Sequence, residues 1–429
     1  MLKILADQAI PNARQIFSAF GEVELKYGRD ICPEDLKDID ALIVRSVTRV
    51  DDELLKHADN LKFVGTATSG IDHIDRAALE SRHIAFSAAH GCNARSVADY
   101  VLSVWMVLAQ RYNLDFGQMS IGIVGMGHVG TRVYRRAQAL GMKVVCCDPL
   151  RASQFSSLLE SMQGKGDPRY GGVDEKVAAL RILSEGDEFM CDLDLADPEL
   201  YNRPLEEALA CDMVTLHVPL TDESPDNYFP TRYLIGQKEL ASMREGQILI
   251  NTARGAIVDN RALYELLSAN PGYIHAWFDV FENEPEILVP ELIPLLEGCT
   301  AHIAGYSLEA KNRGTEMVAQ SLVDKLALNV QFEIPKVPSD VACIELNKNA
   351  LITNSLLSRL VFSVYDVRRD DSLFRTQCYN GPSFDFLRKH YEERHELKKV
   401  TIKCSTPEQV RKLYHLGFQI RTGNTPSAN

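Results

Sequence analysis

The chain has 429 residues, 45% apolar and 24% charged, which suits two or three globular domains rather than a disordered chain. A formal net charge of −13 excludes the broad basic surface that nucleic acid needs, yet permits a small anion held by a few arginines in one cleft. No apolar run reaches the roughly 18 residues that span a bilayer, and MLKILAD meets an acid at Asp7, too early for a secretory signal.

Residues 1–90 alternate short apolar runs with helical stretches: LKILA, ALIVRS, LKFVGTA and IAFSAA. That pattern predicts a small α/β domain on a parallel sheet. SVADYVLSVWMVLAQRY (96–112) predicts a long, largely apolar helix.

Residues 119–148 are the most informative stretch. MSIGIV predicts a buried strand, GMGHVG follows at once, TRVYRRAQAL predicts a helix, and MKVVCC predicts a second strand ending at Asp148. In this G-x-G-x-x-G, Gly125 permits the tight turn, Gly127 lets backbone approach a pyrophosphate, and Gly130 lets helix and strand pack closely. His128 and Val129 complete the cofactor-binding turn, whose helix N-terminus offers free N–H groups to phosphates. Asp148 lies 18 residues past Gly130, where a carboxylate accepts from ribose hydroxyls. It would repel a 2′-phosphate, so NAD is favoured over NADP. Arg151 reads as a solvated loop arginine.

Residues 152–200, with GKGDPRYGG and the acidic DLDLADPEL, interrupt the pattern and read as a surface insertion carrying a helix at SSLLESMQ. Further strands are predicted at MVTLHV, QILINTA, IHAWFDV and CTAHIA, continuing a doubly wound sheet to about residue 303. A helix from near Ser307 then crosses back to the first domain. From about residue 335, NALITNSLLSRLVFSVYDV predicts an amphipathic helix, and KKVTIKC, TPEQVRKLYHLG and FQI predict strand–helix–strand. No catalytic constellation is visible there, so oligomerisation or regulation is the expected role. TGNTPSAN reads as a frayed tail. Ten cysteines without a C-x-x-C pair suit reduced thiols in a cytoplasm rather than disulfides or a zinc site, and no metal is expected.

Three predicted strand ends carry candidate chemistry: NTARGAIVD with Arg254, FDVFENEPE with Asp279 and Glu284, and AHIAGYSLE with His302. Ligands of open α/β sheets lie beyond the carboxyl ends of strands. Oxidising a 2-hydroxy acid needs a guanidinium fork for the carboxylate, a histidine for the hydroxyl proton and an acid to orient that histidine. Arg254, His302 and Glu284 can fill those roles. By spacing alone, a strand-end arginine, a turn acid and a structural histidine are the favoured explanation of all three. His217 reads as a strand-end hydrogen-bonder near the cofactor, and Arg95 as a solvent-exposed residue.

GIVGMGHVG, NTARGAIVD, FDVFENEP and the AHIAG segment stand in the order of the D-isomer-specific 2-hydroxyacid dehydrogenases, which the chain resembles over about residues 1–330. The resemblance implies that Arg254 binds substrate carboxylate, His302 is the acid/base and Glu284 pairs with it. It implies that Asp148 holds the adenosine ribose, that Asp279 contacts the nicotinamide amide, and that Thr252, Val218 and Gly305 line the cofactor cleft. A narrower resemblance, to family members acting on a phosphorylated hydroxy acid, is carried by VRSVT, FVGTATSGIDHID, HGCNARSVADYV, HIAGYSLEAKNRGT, VYDVRRDD and FDFLRKHYEERHE. It implies that Ser46, Thr68 and Tyr306 bind substrate, with Arg45 near the phosphate, and that the C-terminal region makes a homodimer.

The expected fold class is therefore α/β. It comprises a flavodoxin-like substrate domain (1–94 plus 305–330), a Rossmann-type NAD domain (95–304) with its insertion, and a small α/β dimerisation domain (331–429). The alternatives are another 2-hydroxy-acid dehydrogenase, for instance one acting on 3-phosphoglycerate, and a non-enzymatic NAD-sensing scaffold.

Overall fold

The computed structural model describes residues 1–162, 195, 197–224, 228–335, 342–378, 380–392 and 394–422. They form two compact units.

The first unit comprises Met1–Ser96 and the helix Leu308–Lys325 that returns to it. Five parallel strands, β1 (Leu2–Asp7), β2 (Gly21–Lys26), β3 (Ala41–Val44), β4 (Phe63–Thr66) and β5 (Ala85–Ala88), lie in the order β2-β1-β3-β4-β5. This is the flavodoxin-like order. Side chains alternate across it: Ile4 and Ala6 pack with Phe17, Val318 and Leu322, while Leu5 packs with Leu42, Val64 and Leu79 on the other face. Burial on both faces explains why the inner strands read as unbroken apolar runs.

The second unit comprises Val97–Gly305 and most of the chain after residue 340. Its six strands are β6 (Ser120–Val124), β7 (Lys143–Cys147), β8 (Met213–Leu216), β9 (Gln247–Asn251), β10 (Ile274–Phe278) and β11 (Gly298–Cys299). They run parallel in the order β11-β10-β9-β8-β6-β7. The strand order reverses between β6 and β8, which is where doubly wound sheets bind dinucleotides. The stretch CTAHIA keeps only Cys299 in the ladder. Beyond it the backbone peels away, because the Asp279 carboxylate accepts the N–H groups of Ile303 and Ala304.

The C-terminal residues of this unit build a parallel three-stranded sheet from β12 (Ala342–Glu345), β13 (Val400–Cys404) and β14 (Gln419–Thr422), ordered β12-β13-β14. Within the predicted helix at NALITNSLLSRLVFSVYDV only Asn354–Phe362 is helical, and the last residue, Val367, opens a second helix. Asn354–Phe362 ends before Asp366, whose carboxylate caps a new helix, α1 (Val367–Gln377), followed by α2 (Gly381–Lys389). The helix Pro407–Leu416 docks on His128–Leu140 through Arg136, which donates to the Leu416 carbonyl and pairs with buried Asp99.

Two readings are corrected. Arg151 is a buried residue of the helix Pro149–Met162, its guanidinium 5.5 Å over the Tyr201 ring, not a solvated loop arginine. Arg95 is half-buried in the helix Ala94–Tyr112. Most of the 152–200 insertion, with GKGDPRYGG, and all of the TGNTPSAN tail after Thr422 lie outside the described residues; Thr422 itself ends β14. No described helix is long and apolar enough to cross a membrane. The nine described cysteines are free, and burial pushes the Cys146 thiol up to about 12 and Cys147 to about 11.

Candidate active site

The glycine-rich turn follows β6 directly. Gly125 has φ +92°, and a Cβ there would stand 2.8 Å from the His217 backbone of the β8 end. At Gly130 a Cβ would sit 1.9 Å from the Gly125 carbonyl oxygen, so helix and turn touch through backbone. At Gly127 it would meet no atom within 4 Å, leaving an open approach at the helix N-terminus. His128 and Val129, both half-buried, form the first helical turn. Asp148 accepts the Met126 N–H at 2.8 Å and the Arg151 N–H at 3.0 Å. The acid thus ties the glycine turn to the end of β7.

Beside the turn, His217 lies 3.0 Å from Thr215 Oγ1 through Nε2 and 3.3 Å from Thr252 Oγ1 through Nδ1. Desolvation pulls its pKa down to about 3, so it stays neutral and acts as a strand-end hydrogen-bonder. Val218 packs against the same core.

After β9, buried Asn251 shapes the turn that presents Arg254: its side chain accepts from Ala253 N–H and donates to the Arg254 carbonyl. Gly255 is required there, since a Cβ would lie 1.9 Å from the Phe281 carbonyl carbon. After β10, Asp279 is buried and accepts from the Thr300 hydroxyl and from Ile303 and Ala304 N–H, while its own carbonyl takes the His302 N–H at 2.7 Å. Burial raises its pKa despite these donors. The clamp holds His302 at φ +54°, a left-handed conformation uncommon outside glycine. His302 Nδ1 faces Glu284 Oε2 at 2.6 Å, and Glu284 Oε1 accepts the Phe281 N–H at 2.7 Å. Burial pushes the Glu284 carboxyl up, but His302, the Phe281 N–H and the Arg388 guanidinium outweigh it and hold it below the usual range. Ionised Glu284 is acceptor-only, so Nδ1 carries the proton and Nε2 keeps a lone pair.

Arg254, Glu284 and His302 line one cavity of about 420 Å³. Two other charged residues line it that sequence reasoning did not single out. Glu282 is buried and anchored by Tyr233 and the Asn260 N–H. Arg232 pairs with Asp222 and keeps 43% of its side chain exposed. Glu282 lies within FDVFENEPE, two residues before Glu284, whereas Arg232 belongs to none of the quoted motifs.

The substrate candidates lie in the first unit. Ser46 is exposed, and Arg45, Thr68 and Tyr306 are half-buried. Thr68 Oγ1 is 2.8 Å from Thr66 Oγ1 and donates to the Gly70 carbonyl, and Lys311 sits 5.1 Å over the Tyr306 ring. Gly305, half-buried, ends the first stretch of the second unit.

A doubly wound sheet with a glycine cradle open at Gly127, beside an Arg/Glu/His cavity at its strand ends, defines a dinucleotide-binding protein equipped for acid–base chemistry. Residues 3–330 match the catalytic domain of the D-isomer specific 2-hydroxyacid dehydrogenases, and residues 337–417 match a domain of unknown function, DUF3410. The chain belongs to the D-isomer specific 2-hydroxyacid dehydrogenase family. It is 39% identical to the erythronate-4-phosphate dehydrogenase of Tolumonas auensis over 99% of this chain and 100% of that one. It is also 39% identical to the Aeromonas salmonicida enzyme of the same name, over 98% and 100%. An NAD⁺-bound 3-phosphoglycerate dehydrogenase from Entamoeba histolytica shares the fold, with TM-score 0.55 and 23% identity over 78% of this chain and 99% of that one.

Proposed function

We propose that the protein oxidises 4-phospho-D-erythronate at C2 to 2-oxo-3-hydroxy-4-phosphobutanoate with NAD, in pyridoxal phosphate biosynthesis. The His302–Glu284 pair, in one cavity with Arg254, carries this reading. The near-full-length similarity to enzymes of that name supplies the substrate. Residues 1–94 plus 305–330 are read as the substrate domain and 95–304 as the NAD domain.

The open approach at Gly127, the close packing at Gly125 and Gly130, and Asp148 fit NAD. When bound, it supplies the acceptor for the C2 hydride. Gly125, Gly127, His128, Val129 and Gly130 cradle its pyrophosphate, Asp148 takes the adenosine ribose, and Val218, Thr252 and Gly305 line the cleft. Asp279 is read as the acceptor for the nicotinamide amide.

Arg254 clamps the substrate carboxylate with two parallel hydrogen bonds. His302 Nε2 takes the C2 hydroxyl proton, and Glu284, fixed on Nδ1, stabilises the imidazolium that results. Ser46, Thr68 and Tyr306 bind the polyol, with Arg45 near the phosphate. A substrate with two anionic ends needs cations besides Arg254, and Arg232, which lines the same cavity, is assigned with Arg45 to the phosphate end. The same reading makes the protein a cytoplasmic homodimer, resting on its reduced thiols and on the resemblance of its C-terminal region.

The test is a panel of 2-hydroxy acids followed by NADH absorbance. Turnover of 4-phospho-D-erythronate well above that of D-erythronate and 3-phosphoglycerate is expected. Preference for either of those two would reject the assignment.

A further inference from the structure

The motif VYDVRRDD supplies no group to the chemistry above, yet its helix lies against both catalytic segments. On α1 the helical period brings Asp371, Phe374 and Arg375 to one face. Asp371 Oδ1 accepts the Cys299 N–H at 2.8 Å. Cys299 closes β11, the two-residue edge strand that leads into His302, and Asp371 satisfies an N–H on it. Arg375 donates to Asp371 at 2.8 Å, to the Ile293 carbonyl at 3.0 Å and to the Leu296 carbonyl at 2.8 Å. Phe374 is 1% exposed, and its ring stacks on Phe281 with centroids 5.5 Å apart and planes at 2°. Phe384 of α2 closes edge-on against Phe374 at 6.1 Å. Finally, the Gly381 N–H donates to Glu286 Oε2 at 3.1 Å, and a Cβ at 381 would stand 2.0 Å from Glu286 Oε1.

The segment Phe281–Glu286 is therefore held at both ends, with Glu284 between. We propose that the helical hairpin Val367–Lys389 is a brace that sets the geometry of the Glu284–His302 pair, with Asp371, Phe374 and Gly381 as positioning residues. The proposal rests on the roles of Glu284 and His302 given above. Glu284 takes its hydrogen bond from Phe281 N–H, so a tilt of Phe281 moves the carboxylate with it. His302 stands three residues past Cys299, so slack in β11 reaches the imidazole. β11 has only a two-residue ladder with β10 to fix it, and the brace supplies what a longer β11 would. Arg388, at the far end of α2, adds to the pull that keeps Glu284 ionised. The 2-hydroxyacid dehydrogenase match ends at residue 330, so this support comes from the domain of unknown function.

The test compares Asp371→Ala, Asp371→Asn and Phe374→Leu with wild type in the full-length protein. Asn still accepts the Cys299 N–H, whereas Ala cannot. For Asp371→Ala and Phe374→Leu, kcat should fall about tenfold to a hundredfold, the cost of misplacing a catalytic pair by an ångström. KM for both substrates should stay within about twofold, and Asp371→Asn should restore most of the rate. Hydrogen exchange over residues 279–286 and 297–304 should quicken in Asp371→Ala while β6 and β7 keep their protection. Unchanged kcat together with unchanged exchange overturns the brace. So does a rate loss that tracks subunit dissociation and is reversed by raising protein concentration. Should wild type fail to oxidise 4-phospho-D-erythronate, the reaction is misassigned, and the exchange measurement still decides the brace. If Phe374→Leu does not fold, the two Asp371 variants carry the test.

Discussion

Glu284→Gln is a nearly isosteric change with a large expected effect. The carboxylate serves two donors: Phe281 N–H on Oε1 and His302 Nδ1–H on Oε2. Glutamine has one oxygen. The Phe281 N–H belongs to fixed backbone, so the oxygen stays there and the NH₂ turns toward His302. Two donors then face each other, unless the imidazole moves its proton from Nδ1 to Nε2. That tautomer relieves the clash and removes the lone pair that takes the substrate proton. A comparable tautomer error in a serine-protease triad costs about 10⁴-fold. We therefore expect kcat to fall about 10³- to 10⁴-fold, or about 4–5.5 kcal/mol. KM for NAD should not move, because the cofactor cradle is untouched. Steady-state kinetics with 4-phospho-D-erythronate, beside NADH-binding titrations, reads both quantities. A variant within tenfold of wild-type kcat would refute the role given to the Glu284–His302 pair.

Gly127→Ala and Gly130→Ala should part company. The first places a Cβ in open space, so Tm holds while NADH affinity collapses. The second drives a Cβ into the Gly125 carbonyl and should cost about 1–3 kcal/mol in chemical unfolding. Arg232→Met should raise KM for 4-phospho-D-erythronate at least about tenfold and leave turnover of D-erythronate unchanged. An equal loss with both substrates would remove Arg232 from the phosphate. Acid should destabilise the second unit through carboxylates whose pKa values folding depresses. Glu284, Asp212 and Glu297 are each held low against the opposing pull of burial: Glu284 chiefly by His302, Asp212 by Ser120 and Arg244, and Glu297 by Tyr112, Arg111 and His275. Their contribution is complete above the unfolded values and disappears as pH falls through the lowered ones, so Tm should drop steadily below about pH 4. Glu297→Gln should flatten part of that slope in thermal melts.

The nucleotide unit was readable because its signals are local. Glycines, helix and acid lie within 30 residues, and Gly130 answers to Gly125 inside that stretch, although Gly125 itself abuts His217 at the end of β8. Buried strands announced themselves as unbroken apolar runs. The edge strand β2, GEVELK, did not, because Glu22 and Glu24 alternate with Val23 and Leu25. β12 lies at an edge too, and its ACIE is largely exposed. CTAHIA has strand composition, but the carboxylate of Asp279, some 20 residues earlier, draws the backbone out of the ladder. Arg232 and the contacts of Asp371 and Phe374 left no trace in periodicity, because they join residues scores of positions apart.

One ion pair has a further bearing on how the polypeptide must be made. Asp99 and Arg136 are buried together; the second oxygen of Asp99 accepts the Leu397 N–H, and Arg136 Nε reaches the Leu416 carbonyl. A chain stopped at the end of the dehydrogenase match, near 330, would strand both charges without these backbone partners. During synthesis those two backbone contacts can form only once residues 397–416 have left the ribosome. Grafting that fold onto a foreign C-terminus would require redesigning positions 99 and 136 first.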